Sequence, residues 1–111
     1  MSISIGAKKD NHQVVKFSGE FDKAGLTAVK GELNAAVKAF EGTHLVFDFS
    51  NLKFINSEGI GYLMELHGHL TKTDKKLAIA KPNAHVADVF KAVGIGDILP
   101  ICGSVDACLS K

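Results

Sequence analysis

Apolar positions at helical spacing alternate along this chain with short runs at strand spacing, and that alternation restricts it to a sheet covered by helices. Leu26, Val29, Leu33, Ala36, Val37 and Phe40 fall on one stripe of a helix. Immediately after it comes HLVFDF, residues 44–49, in which Leu45, Phe47 and Phe49 alternate with His44, Val46 and Asp48. Helical spacing returns at Ile60, Leu63, Met64, His67 and Leu70, and KLAIA (residues 76–80) is the next strand. Pro82-Asn83 opens a third helix with Val86, Val89, Phe90 and Val93 inward, closed by Gly94 with Ile95 following. Asp97 to Ile101 reads as a final short strand, and Ser104 or Asp106 opens a last helical turn.

Before the first helix, SISIGAKK and Gln13 to Ser18 form two extended runs around an Asp10-Asn11 turn, with Gly19 closing the second. Asp22 is placed to cap the first helix and Gly42 to end it. Residues 50–57 read as a loop whose Leu52, Phe54 and Ile55 tuck inward. The order β-β-α-β-α-β-α-β, ending in a short helix, predicts an α/β two-layer sandwich. Its sheet is mixed, with four to five strands and the helices on one face. Residues 1–111 are expected to form one domain, since the length suits one core and 46% of the residues are hydrophobic.

The charge balance narrows function further. Thirteen basic and twelve acidic residues leave a formal charge of +1, which argues against nucleic acid held by a basic face. No apolar run approaches the ~20 residues of a membrane span, and MSISIGAKKD lacks the apolar centre of a secretion signal. A cytoplasmic protein without direct membrane insertion is expected. Cys102 and Cys108 lack C-x-x-C spacing and read as small buried thiols.

Catalytic and cofactor chemistries find little support. Gly59-Ile60-Gly61 has Met64 where a dinucleotide fingerprint needs its third glycine. Of the five histidines, His67 and His69 would point about 200° apart on a helix, so they cannot share a metal ion. No G-x-S-x-G is present, and no spacing groups a nucleophile with a base. The expectation is a protein that is not an enzyme, with no catalytic residue, no metal and no cofactor.

The segment Phe54-Ile55-Asn56-Ser57-Glu58-Gly59-Ile60-Gly61 carries the most specific physics. A serine at a helix start lies beside unpaired backbone amides and the positive end of the dipole, where a phosphate is well held. The small residues around it let another protein approach closely. The residues alone favour the plainer reading, in which Ser57 or Asn56 is only a structural cap.

These stretches together resemble the STAS domain family, the anti-sigma factor antagonists of bacteria, from about Ile3 to Leu109. The likeness rests on Gly19-Glu20-Phe21-Asp22, on Leu45-Val46-Phe47-Asp48-Phe49-Ser50-Asn51-Leu52, on the Phe54–Gly61 segment, and on Val89-Phe90-Lys91-Ala92-Val93-Gly94-Ile95. The resemblance implies that Ser57 is the phosphoacceptor and that Asp22, Asn56, Ser57, Glu58, Gly59, Ile60 and Gly61 form the partner-binding surface. It implies as partners an anti-sigma factor that is itself a serine kinase, and a phosphoserine phosphatase that resets the switch. Two positions depart from the family motif: its aspartate is Asn56 here, and its second hydroxyl residue is Glu58. STAS-like domains also serve as constitutive subunits of lipid-transport or stress-signalling complexes, which is the alternative function.

Overall fold

The computed structural model describes residues 1–110. Five strands form one mixed sheet: β1 (Ser2–Ile5), β2 (His12–Phe21), β3 (His44–Ile55), β4 (Lys76–Ala80) and β5 (Ile101–Cys102), in that spatial order. β1 runs antiparallel to β2, and β2 to β5 are parallel. The crossovers carry α1 (Lys23–Ala39), α2 (Ser57–Thr71) and α3 (Ala84–Val93), and α4 (Val105–Leu109) follows β5.

Strand alternation sorts the sheet into two unequal faces. Val15, Phe17, Leu45, Phe47, Phe49, Leu77 and Ile79 point into the main core. Leu33 and Val37 of α1, Leu63, Leu66 and Leu70 of α2, and Val86 and Phe90 of α3 close it. This is the expected two-layer arrangement. The intervening positions Val46, Ala78, Ala80 and Cys102 form a smaller cluster with Cys108, flanked by Val105 and Leu109. The short α4 therefore lies against the opposite face, where the sequence predicts no covering helix. Cys102 and Cys108, expected as separate thiols, are paired as a disulfide with Cα atoms 5.4 Å apart. The turn between β5 and α4 folds them together, a closeness that sequence spacing does not reveal.

The strands are longer than the alternation predicted. β2 continues through Gly19 to Phe21, and the presumed loop after Phe49 is the second half of β3. Here the pairing steps from Lys16↔Asp48 to Ser18↔Asn51, and from Gly19↔Leu52 to Glu20↔Phe54, so β3 gains an extra residue twice. Each bulge rephases the strand. Inward positions become Phe49, Leu52 and Ile55, spaced by three, which disguises a strand as a loop. Phe54, expected to tuck inward, is 37% exposed.

The helices need smaller revisions. α1 ends at Ala39 with Phe40 as its C-cap, before Gly42, whose backbone instead packs under the Asn11 carbonyl. α2 buries Tyr62 and Leu66, while Ile60, Met64 and His67 are only half-buried. The stripe is rotated toward α1, where the Tyr62 hydroxyl donates to Asn34 Oδ1. Val93 is 54% exposed, because the chain turns at Gly94 (φ 72°) and Ile95 takes the core position. The expected last strand, Asp97 to Ile101, is mostly irregular: a 3-10 turn at Ile95–Asp97 reaches its first residue, and β5 takes only its last, Ile101.

Asp48 is the buried carboxylate of the second face, 4% exposed. Burial alone would push its pKa up. Hydrogen bonds from the Ser50 amide (2.9 Å) and hydroxyl, with Lys81 3.5 Å away, outweigh burial and hold the pKa below its ordinary value.

Candidate functional site

The site is built at the C-terminal edge of the parallel strands, where open α/β sheets place their ligands and partners. Phe21 and Ile55 are paired at the ends of β2 and β3. The residues that follow them, Asp22 and Asn56, are the N-caps of α1 and α2, so the two helix starts stand side by side. Asp22 Oδ1 accepts from the Gly25 amide at 2.8 Å. Asn56 Oδ1 accepts from the amides of Glu58 (3.0 Å) and Gly59 (3.3 Å). The cap at α2 is thus Asn56, which settles that part of the choice between Asn56 and Ser57.

With Asn56 as the cap, Ser57 is the first helical residue, exposed, and its hydroxyl is not consumed by capping. Glu58 is exposed in the same turn and favourably placed against the dipole. Ile60 is half-buried against the main core, and Gly61 is exposed with open space where a side chain would be. Asp22 is half-buried. The structure therefore brings Asp22, Asn56, Ser57, Glu58, Gly59, Ile60 and Gly61 into one neighbourhood.

Gly59 is what brings α2 so close to the sheet. A Cβ there would lie 2.6 Å from the Phe21 carbonyl oxygen and 2.8 Å from both Ile55 Cγ1 and Phe21 Cδ1. The Asn56 amide donates to the same Phe21 carbonyl at 3.3 Å. Gly59→Ala is accordingly expected to destabilise the fold by about 1–3 kcal/mol through overpacking. Gly61→Ala, on an open helix surface, is expected to stabilise it by about 0.5–1 kcal/mol. Urea unfolding of the two variants checks the contrast, and equal midpoints would refute the packing argument.

The edge extends further than the sequence indicated. Asn83 caps α3 by accepting from the Val86 amide at 2.8 Å, and its Nδ2 donates to the Leu52 carbonyl at 3.0 Å, tying α3 to β3. The Phe54 ring stacks on His85 with centroids 5.6 Å apart. The two extra residues of β3 cancel in phase by Phe54, which faces outward as unbroken alternation from Phe49 would place it; the pair is hidden because residues 50–57 read as a loop. A cavity of about 410 Å³ beside Asp22 is bordered by Gly19, Glu20, Gly25 and Lys53. Among the described residues, no three His, Cys, Asp or Glu side chains converge as a metal site, and no helix is long and apolar enough to cross a membrane.

A mixed sheet with helices packed on it and two capped helix starts side by side at one edge is the architecture of a STAS domain. The family model described as "Mlab, STAS domain" matches residues 6–100, and the chain belongs to the STAS domain family. It is 25% identical over 102 residues to the anti-sigma F factor antagonist of Paenibacillus polymyxa, covering 89% of this chain and 87% of that protein. Unphosphorylated SpoIIAA, an anti-sigma factor antagonist, superposes with a TM-score of 0.79 at 17% identity, covering 98% of this chain and 94% of that one. The phosphorylated form of the Bacillus cell fate determinant SpoIIAA gives 0.71 at 16% identity, covering 98% and 97%.

Proposed function

We propose that this protein is a phosphorylation-switched binding module, an anti-sigma factor antagonist. With Ser57 unmodified it binds a kinase-type anti-sigma factor through the start of α2. That partner transfers the γ-phosphoryl group of ATP to the Ser57 hydroxyl, ADP leaves, and the complex separates. A phosphoserine phosphatase restores the hydroxyl. The protein acts by binding, in the cytoplasm, with no cofactor and no catalysis of its own.

One observation carries this reading: the Ser57 hydroxyl is exposed at the first position of α2, with Asn56 doing the capping. The match to a curated anti-sigma F factor antagonist, and to SpoIIAA solved with and without phosphate, supports it. Incubation with ATP and the cognate kinase is expected to add one phosphoryl group, and Ser57→Ala to prevent it. Modification of the Ser57→Ala protein would refute the assignment.

A specific feature favours a second reading, a constitutive subunit of a lipid-transport or stress-signalling complex. Asn56 Oδ1 already occupies the Glu58 and Gly59 amides, and Glu58 places a fixed charge beside Ser57. In that case the partner recovered from cells is a transporter or scaffold component, and its binding is indifferent to phosphate on Ser57.

A further inference from the structure

A second cavity, of about 400 Å³, lies at the other end of α2 from Ser57. Its walls come from His67 and Thr71 of α2, Asp74 and Lys75 of the following turn, Lys76 and Leu77 of β4, and Ile98 and Pro100 ahead of β5. Leu77 is buried, Pro100 is half-buried, and Ile98 stands 49% exposed. Apolar walls with a few converging polar groups, at this volume, are the make-up of a small-molecule site.

The polar groups select the ligand. His67 Nδ1 is buried without a hydrogen-bond partner. A buried unpartnered ring nitrogen costs least when it carries no proton. With Nδ1 buried and unpartnered, Nε2 is the ring nitrogen through which His67, a wall of the cavity, can donate to an acceptor there. The Lys75 ammonium donates to the Phe40 carbonyl and lies 5.8 Å from the Phe40 ring centre. Both partners are neutral, and an ammonium has three N–H donors, so charge and donors remain for an anion.

The end of α2 makes little demand for a cationic ligand. The Gly68, Leu70 and Thr71 carbonyls already accept from the amides of Lys72, Thr73 and Asp74. Asp74 is the opposing charge at the cavity, and it is exposed to screening solvent.

We propose that this cavity binds a small organic monocarboxylate, with its hydrocarbon part against Leu77, Ile98 and Pro100 and its carboxylate toward His67 and Lys75. The site is separate from the Ser57 surface and stands whether or not the switch does. The test is an amide NMR titration of the full chain with octanoate, using octanol and octyltrimethylammonium as probes with the same tail.

Octanoate is expected to give saturable shifts clustered at Thr71, Lys75, Leu77 and Ile98, and to bind about tenfold more tightly than either control. Ile98→Asp, at an exposed position, is expected to weaken octanoate about tenfold. His67→Phe keeps ring bulk while removing the donor, so it weakens octanoate and leaves octanol unchanged. Absence of saturable shifts, an equal response to octyltrimethylammonium, or octanoate affinity untouched by both substitutions overturns the proposal.

Discussion

Phe17→Ala is expected to lower unfolding free energy by about 3–5 kcal/mol, the range for removing a buried aromatic ring. Phe17 is fully buried at the centre of an aromatic group. Its ring centroid lies 4.8 Å from Phe47, 5.0 Å from Phe49 and 5.8 Å from Phe21, against which it stacks at 16°. Phe49 continues the group to Phe90 of α3 at 6.1 Å. Alanine would remove packing from three neighbours at once, and none of these rigid rings can collapse far into the space.

A domain's whole stability is about 5–15 kcal/mol, so the variant should unfold at a much lower urea concentration. The damage should also reach the site, because Phe21 forms the surface on which Gly59 rests. Phe54→Ala is the control, since that ring is partly exposed and stacks on His85 at the edge. Its cost should stay below about 1 kcal/mol, in the lower part of the range for single substitutions. Similar midpoints for the two variants would show that the aromatic group is not the structural centre assigned to it.

The same aromatic group marks where sequence reasoning succeeds and where it stops. Phe47, Phe49, Leu77 and Ile79 were legible because they alternate on regular strands. Val29, Leu33 and Val37 were legible because α1 is an unbroken helix with one apolar stripe. The alternation failed where β3 bulges, since an inserted residue shifts inward positions from every second to every third residue. That effect makes six strand residues read as a loop, and the inward placement of Phe54 follows from the loop reading rather than from the register. The face covered by α4 was missed for a different reason. Val46, Ala78 and Ala80 are also inward positions of a sheet buried on both sides, and their small side chains give no pattern separating a covered face from an open one.

At the site, residue types were informative and backbone partners were not. Ser57 and Gly59 could be placed at a helix start from spacing alone. The choice of Asn56 as cap depends on a carboxamide oxygen reaching two particular amides, a matter of ångströms. Lys81 likewise gave no sign in sequence of its partnership with Asp48. It needs the left-handed backbone found at that residue (φ 55°), held by donation from its amide to the Cys102 carbonyl at 2.8 Å.

Phosphate on Ser57 is expected to weaken partner binding about a hundredfold, equivalent to about 2.7 kcal/mol. The capping geometry explains why the effect falls on the interface and not on the fold. Asn56 Oδ1 satisfies the Glu58 and Gly59 amides, and the Asn56 carbonyl accepts from Ile60 at 3.0 Å, so the first turn needs no phosphate to order it. The helix dipole tolerates the added charge within the chain. A partner pressed against the same turn must desolvate about −1.5 to −2 charges, beside the charge already on Glu58, and any facing acidic group adds repulsion. Ser57→Glu adds one charge without the phosphate's bulk and should lose about tenfold. Ser57→Ala adds none and should bind within about threefold of the parent, a difference of less than 1 kcal/mol. Calorimetric titration of the purified partner with the three proteins and the phosphorylated form separates the alternatives. A hundredfold loss in Ser57→Ala would make the hydroxyl itself the contact, and equal binding by the phosphorylated form would leave the constitutive subunit as the surviving reading.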